Sequence, residues 1–144
     1  MNELSTKLQF FINLSIAESK IRRRFDSRLG INGVGLDDYL ILHALNKARN
    51  LQIERAELAK QVGISITDLT RKLPKLEKIG LIDREENPKD VNNSKVKLTM
   101  NGKKVYGYAT ESAEEKALDL FPAKKNTEVE LLIEALNSIT DIKK

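Results

Sequence analysis

The chain has no cysteine, no tryptophan, one histidine and three prolines. Without cysteine there is no disulfide framework and no thiol-based redox switch. A single histidine, His43, leaves no paired imidazoles for a metal site; beside Leu42 and Ala44 on a helical stretch it reads as a structural residue. No glycine-rich phosphate loop and no nucleophile elbow occurs. No run approaches the roughly 18 consecutive apolar residues that a membrane helix needs. Glu3 and Lys7 interrupt the start, where a signal peptide would be apolar. Internal repeats and low-complexity segments are missing as well. These absences argue against an enzyme, a bound cofactor or metal, and a membrane partner, and they favour a cytoplasmic protein.

What remains is a chain of 144 residues, 40% hydrophobic and 32% charged, the size and composition of one folded domain. The net charge of +4 is unevenly placed. Residues 65 to 104 hold ten Lys/Arg against six acids, and the rest of the chain holds fifteen of each sign, so the entire excess lies in 40 residues. A local basic footprint suits a polyanion, although a lysine-rich solvated surface gives the same count.

Apolar residues set out the elements. Leu4, Leu8, Phe11, Ile12, Leu14, Ala17, Ile21, Phe25 and Leu29 form a helical stripe over residues 3 to 29. Such a helix is about 40 Å long, more than a small domain needs for itself. Phe10 and Ile16 widen its apolar arc, which predicts that a second chain covers part of it. The run Arg22-Arg23-Arg24 is expected to solvate it. Three glycines in "GINGVG" end the helix, and a second spans 36 to 48, with Asp37 and Asp38 in its first turn, where the helix dipole favours acids. "LQI" (51 to 53) reads as a short strand and "ERAELAKQVG" as a short helix ending at Gly63. "LIDRE" and "SKVKLT" alternate as strands around the polar loop "ENPKDVNN". Thr99 caps a helix over 100 to 120, stopped by Pro122, and Thr127 with Glu130 forms a capping box that starts the last helix. Asn92-Asn93-Ser94 matches a glycosylation sequon, which without a secretion signal is only a loop.

The segment "SITDLTRKLPKLEKIG" (65 to 80) is the most informative. Ser65 and Asp68 are spaced as a capping box, and Gly80 suits the left-handed residue that closes a helix. Pro74 lies inside, where proline normally costs about 3 kcal/mol. At about 100° per residue, Leu69, Leu73, Leu76 and Gly80 share the core side. Thr67, Arg71, Pro74, Lys75 and Lys78 fall opposite, with Thr70 at the margin. The proline is therefore on the outer, convex side, where a bend is tolerated. The outer face is hydroxyl and cation, the mix that meets phosphates and base edges.

Helix, glycine turn, second helix and a two-stranded hairpin with a basic tip make a winged helix-turn-helix, whose second helix fits the DNA major groove. The fold class expected is mainly α, with a two-stranded wing and terminal helices. At this level the stretch "ELAKQVGISITDLTRKLPKLEKIGLIDRE…KDVNNSKVKLTMNGKKV" resembles the MarR family of bacterial transcription regulators. The matching residues are Leu58-Ala59, Gly63-Ile64-Ser65, Leu69-Thr70-Arg71, Leu73, Leu76, Gly80-Leu81-Ile82, and Leu98-Thr99 with Gly102.

The resemblance implies one domain over 1–144, with dimerisation helices at 1–35 and 100–144 and the winged region at 36–99. It also implies a homodimer on a double-stranded DNA operator, acting as a repressor. DNA contacts are expected from Ser65, Thr67, Asp68, Thr70, Arg71 and Lys75 on the second helix, and from Lys89, Asn92, Asn93 and Lys95 on the wing. Asp68 serves first as a cap partner; near DNA it could accept from a cytosine amino group. Asn92 stands where the family usually places a wing arginine, and it lacks the charge that exploits a narrow minor groove. Pro74 departs from the family pattern as well. Together these departures keep a second reading open, a winged module that docks an acidic protein without DNA. The family often binds aromatic anions between the dimer helices and the winged region, and Phe25, Tyr39 and His43 are the residues expected to line such a cleft here, with core packing the bland use of Phe25.

Overall fold

The computed structural model describes residues 3–90, 93–121 and 125–140. Among the described residues six α-helices run α1 (Thr6–Leu29), α2 (Leu36–Lys47), α3 (Arg55–Val62), α4 (Ile66–Lys78), α5 (Met100–Leu120) and α6 (Asn126–Thr140). Three short strands, β1 (Gln52–Glu54), β2 (Ile82–Glu85) and β3 (Lys95–Leu98), form an antiparallel sheet in the order β1-β3-β2. Among the described residues no helix is long and apolar enough to cross a membrane. Asn92 and Pro122 lie outside the described residues.

Local chemistry explains most boundaries. α1 starts three residues later than its stripe suggested, because the Ser5 hydroxyl accepts from the Leu8 N–H at 3.1 Å and caps the helix. α3 ends at Gly63, whose φ of +81° lets its N–H close on the Ala59 carbonyl at 2.9 Å. α6 departs from expectation. Its first backbone bonds close on the Lys125 carbonyl, so Thr127 lies inside the first turn and does not cap it.

The core sits under the winged region. Leu29, Ile41, Leu42, Leu45, Leu58, Leu69, Leu73, Leu76, Ile82 and Leu98 are fully buried in one cluster. α5 joins it through Ala109 and Ala113. The short strand after α2 does more than precede a helix. β1 pairs with β3 as Gln52↔Lys97, Ile53↔Val96 and Glu54↔Lys95, so β1 anchors the β2–β3 wing through β3, the central strand of the sheet.

The two terminal helices behave differently. α1 buries only Leu29, and α6 buries none of its residues. Leu4, Leu8, Phe10, Phe11, Ile12 and Ile16 on one side, with Leu131, Leu132, Ile133 and Leu136 on the other, remain exposed. Phe10 and Phe11 share an apolar recess of about 350 Å³ with Ile139, so the start of α1 lies beside the end of α6. An exposed apolar surface of this kind marks an interaction site.

Candidate nucleic-acid interface

α4 sets an exposed polar face on a buried leucine underside. The Ser65 hydroxyl accepts from the Asp68 N–H at 3.0 Å, which fixes the first turn. The Asp68 carboxylate lies 3.6 Å from Arg71, one turn along the same face. Leu69, Leu73 and Leu76 are wholly buried beneath, while Thr67, Asp68, Thr70, Arg71, Pro74, Lys75 and Lys78 are exposed. The helix runs through Pro74 without interruption from Ile66 to Lys78. The Arg71 side chain is 75% exposed, the freest large cation on that face for which an ion pair is recorded.

Beyond α4 a glycine is needed twice. Gly80 has a φ of +81°, in the left-handed region that a side chain would strain, and Leu81 N–H returns to the Leu76 carbonyl at 2.9 Å. Gly102, in the first turn of α5, packs against the Leu81 carbonyl. The Thr99 hydroxyl accepts from the Gly102 N–H at 2.9 Å and donates to the Gly80 carbonyl at 2.6 Å. The threonine and glycine of the "LTMNG" stretch thus lock the end of the wing, the start of α5 and the turn after α4 together.

The wing base is built around a buried arginine and a buried serine that the sequence did not signal. Arg55, almost wholly buried at the start of α3, donates to Glu86 at 3.2 Å, and its backbone N–H donates to the Ser94 carbonyl at 2.8 Å. The buried Ser94 hydroxyl accepts from the Asn87 N–H at 2.9 Å and donates to Glu86 at 3.3 Å. Toward the tip, Lys89 is exposed, and its N–H donates to the Asn87 side chain at 3.1 Å. The Asn93 amide is engaged within the loop, donating to Asp90 at 2.5 Å. Lys95 lies on the sheet, opposite Glu54 and Glu85 in the register, rather than at the tip.

Lys75 is exposed but occupied: its ammonium sits 3.0 Å from Asp38 of α2. Lys72 is held likewise, 3.3 Å from Asp37. Arg22 does more than solvate α1. It pairs with Glu18 at 2.7 Å and with Asp37, tying α1 to α2. Burial alone would push the Asp37 carboxyl up, but the Arg22 guanidinium and then the Lys72 ammonium outweigh it and hold the group below the ordinary carboxylate value.

Of the residues expected to line a ligand cleft, Tyr39 and His43 on α2 meet α5, whereas Phe25 lies on α1. The Tyr39 and Tyr106 rings stack at 5.4 Å, and His43 stacks on Tyr39 at 6.3 Å. Tyr106 O–H lies 2.7 Å from His43 Nδ1, and Tyr39 O–H lies 2.9 Å from the Thr110 hydroxyl. Burial, followed by the nearby charge of Lys47, pushes the His43 pKa down and favours the neutral ring. Phe25 is half-buried and packs against the core. Tyr106 and Thr110 were not singled out in the sequence; their i, i+4 spacing on α5 was the available signal.

Taken with its leucine underside, the threonine–arginine face of α4 and the β2–β3 wing define a winged helix-turn-helix domain flanked by long helices. Residues 36–91 match the model of the MarR family, and this segment belongs to that family. The same fold recurs across nearly the whole chain in solved structures. One is the transcriptional regulator BldR from Sulfolobus solfataricus, at 26% identity and a TM-score of 0.83 over 96% of this chain and 97% of that one. A second is a MarR family transcriptional regulator from Streptomyces coelicolor, in complex with DNA, at 22% identity and a TM-score of 0.82 over 98% and 91%. A third is NadR in complex with 4-hydroxyphenylacetate, at 25% identity and a TM-score of 0.80 over 99% and 100%. No curated protein sequence matches the chain.

Proposed function

We propose that the protein is a homodimeric, sequence-specific DNA-binding transcription regulator, acting as a repressor on a pseudo-palindromic operator. The observation that carries this reading is the outward face of α4. Thr67, Thr70 and Arg71 are exposed on one side of a helix whose other side, Leu69, Leu73 and Leu76, is wholly buried. Hydroxyls and a guanidinium at the N-terminal half of such a helix can reach base edges in the major groove, Arg71 bidentately to a guanine. Ser65 and Asp68 fix the first turn and stand close to the same groove. Lys89, Asn92, Asn93 and Lys95 are the wing's contribution, mostly to the backbone, with no arginine at position 92 to enter the minor groove. Lys75 contributes only if it leaves Asp38.

The exposed apolar residues of α1 and α6 support the dimer, since a lone chain would leave them in water. A two-fold pair would present its reading helices about 34–36 Å apart, one turn of B-form DNA. In this reading Tyr39 and His43 of α2, with Phe25 of α1, line the ligand cleft, beside Tyr106 and Thr110 of α5. Its stacked phenol rings and hydroxyls suit an aromatic acid, the class to which the ligand of NadR belongs.

Selection of duplexes from a random pool by the purified protein tests the regulator reading. The expected result is an enriched inverted repeat with a steep salt dependence of binding. In the Arg71→Ala variant, discrimination at one base pair per half-site should fall by about 1–3 kcal/mol. An unselected pool, with binding only to acidic proteins, would establish the protein-docking module instead.

A further inference from the structure

The recognition helix carries four cations, Arg71, Lys72, Lys75 and Lys78, but two of them are already engaged by a neighbouring helix. Lys72 lies 3.3 Å from Asp37, and Lys75 lies 3.0 Å from Asp38. Both carboxylates belong to the first turn of α2, where they are held from behind. The Asp38 carboxylate is nearly buried, and it also accepts from the Gly35 N–H at 3.0 Å. The Asp37 carboxylate is gripped on its other oxygen by Arg22 of α1, itself paired with Glu18 at 2.7 Å. Glu18, Arg22, Asp37, Lys72, Asp38 and Lys75 together carry three charges of each sign, so the flank of α4 facing α2 is electrically neutral. Arg71, on the outer face between Thr67 and Lys75, meets among the described residues Asp68 of its own helix, at 3.6 Å.

We propose that Asp37 and Asp38 are specificity-determining residues that withhold Lys72 and Lys75 from the phosphate backbone. The physical reason is that the two kinds of DNA binding draw on different terms. Attraction of free lysines to phosphates is independent of sequence and supplies nearly all non-specific affinity. Base-edge contacts supply the difference between sites. Neutralising two lysines therefore weakens binding to every duplex, and leaves the preferred site relatively favoured through Thr67, Thr70 and Arg71. Arg22 acts through Asp37 as a positioning residue, because it holds that carboxylate in place from α1.

This inference rests on the regulator reading, and the experiment separates the two. Binding of the full-length protein to its selected duplex and to a scrambled duplex is measured between 50 and 200 mM salt. Three proteins are compared: wild type, Asp37→Asn/Asp38→Asn, and Lys72→Met/Lys75→Met. Asparagine keeps an acceptor for the Gly35 N–H and removes only the charge.

Freeing both lysines should steepen the salt dependence on the scrambled duplex by about 1.8 in log K against log[salt], about a twelvefold larger loss across that salt range. The ratio of selected to scrambled binding should fall. The lysine variant should keep the wild-type slope on both duplexes. A slope lowered by about 0.9 for each lysine removed would show that they already neutralise phosphates, and would overturn the proposal. An unchanged slope and ratio in the asparagine variant would overturn it equally. If that variant fails to fold, the lysine variant decides alone. A wild type with no selected duplex overturns the regulator reading, and the proposal with it.

Discussion

Gly102 lies so close to the Leu81 carbonyl that a Cβ built on it would stand 2.1 Å from that oxygen, and 2.7 Å from Leu98 Cδ1. The obstacle is backbone, which cannot swing aside as a side chain can. Gly102→Ala should therefore push α5 off the wing and destabilise the protein by about 1–3 kcal/mol, despite the better helix propensity of alanine. Urea unfolding followed by circular dichroism measures it. Stability equal to wild type would contradict the close docking of α5 on Leu81.

Pro74 gives the opposite expectation. It is exposed, and it deprives α4 of one backbone hydrogen bond, the one Thr70 would accept. Pro74→Ala restores that bond without disturbing the buried leucines, so stability should rise by about 1–3 kcal/mol. The same denaturation experiment reports the gain. A loss would mean that the proline's shape is required for packing and not merely tolerated.

His43 makes stability depend on pH in a defined direction. Burial first, and Lys47 second, depress its pKa in the folded protein. The folded state then binds fewer protons than the unfolded chain just below the ordinary histidine value of about 6.5. The contribution is complete above that value and is lost as pH falls through the lower, folded value. Thermal midpoints recorded from pH 7.5 down to 5 should decline more steeply in wild type than in His43→Gln. Parallel profiles would remove His43 as the cause.

The apolar surfaces of α1 and α6 carry a prediction about assembly. Placing a charge there, as in Leu132→Glu or Phe11→Glu, should shift sedimentation from a dimer to a monomer. The thermal midpoint should lose its dependence on protein concentration as well. A monomeric wild type at micromolar concentration would contradict the dimer directly.

Much of the winged region was legible because its signals are local. The Ser65 and Thr99 caps, Gly63 and Gly80, and the leucine stripe beneath Thr67 and Arg71 act over three or four residues, a range that helical periodicity covers. Short-range reading failed where a competing neighbour was equally plausible. Thr127 looked like a cap, but the first turn of α6 closes on Lys125. Asp37 and Asp38 fit the dipole of their own helix, which concealed their ion pairs with α4.

By itself, then, the sequence determined which segments become helices or strands, which face of α4 turns inward, and which family pattern the winged segment follows. Tertiary structure alone decided that Lys75 meets a carboxylate 37 residues away, that Tyr106 meets His43 across 63, and that Tyr39 meets Thr110 across 71. It also decided that β1 joins the wing through β3. The physical reason is distance along the chain. Periodicity and capping fix the backbone one turn at a time, whereas the partner of a charge or a ring depends on how whole helices cross, and the buried leucines set that crossing without regard to the polar groups at its edge.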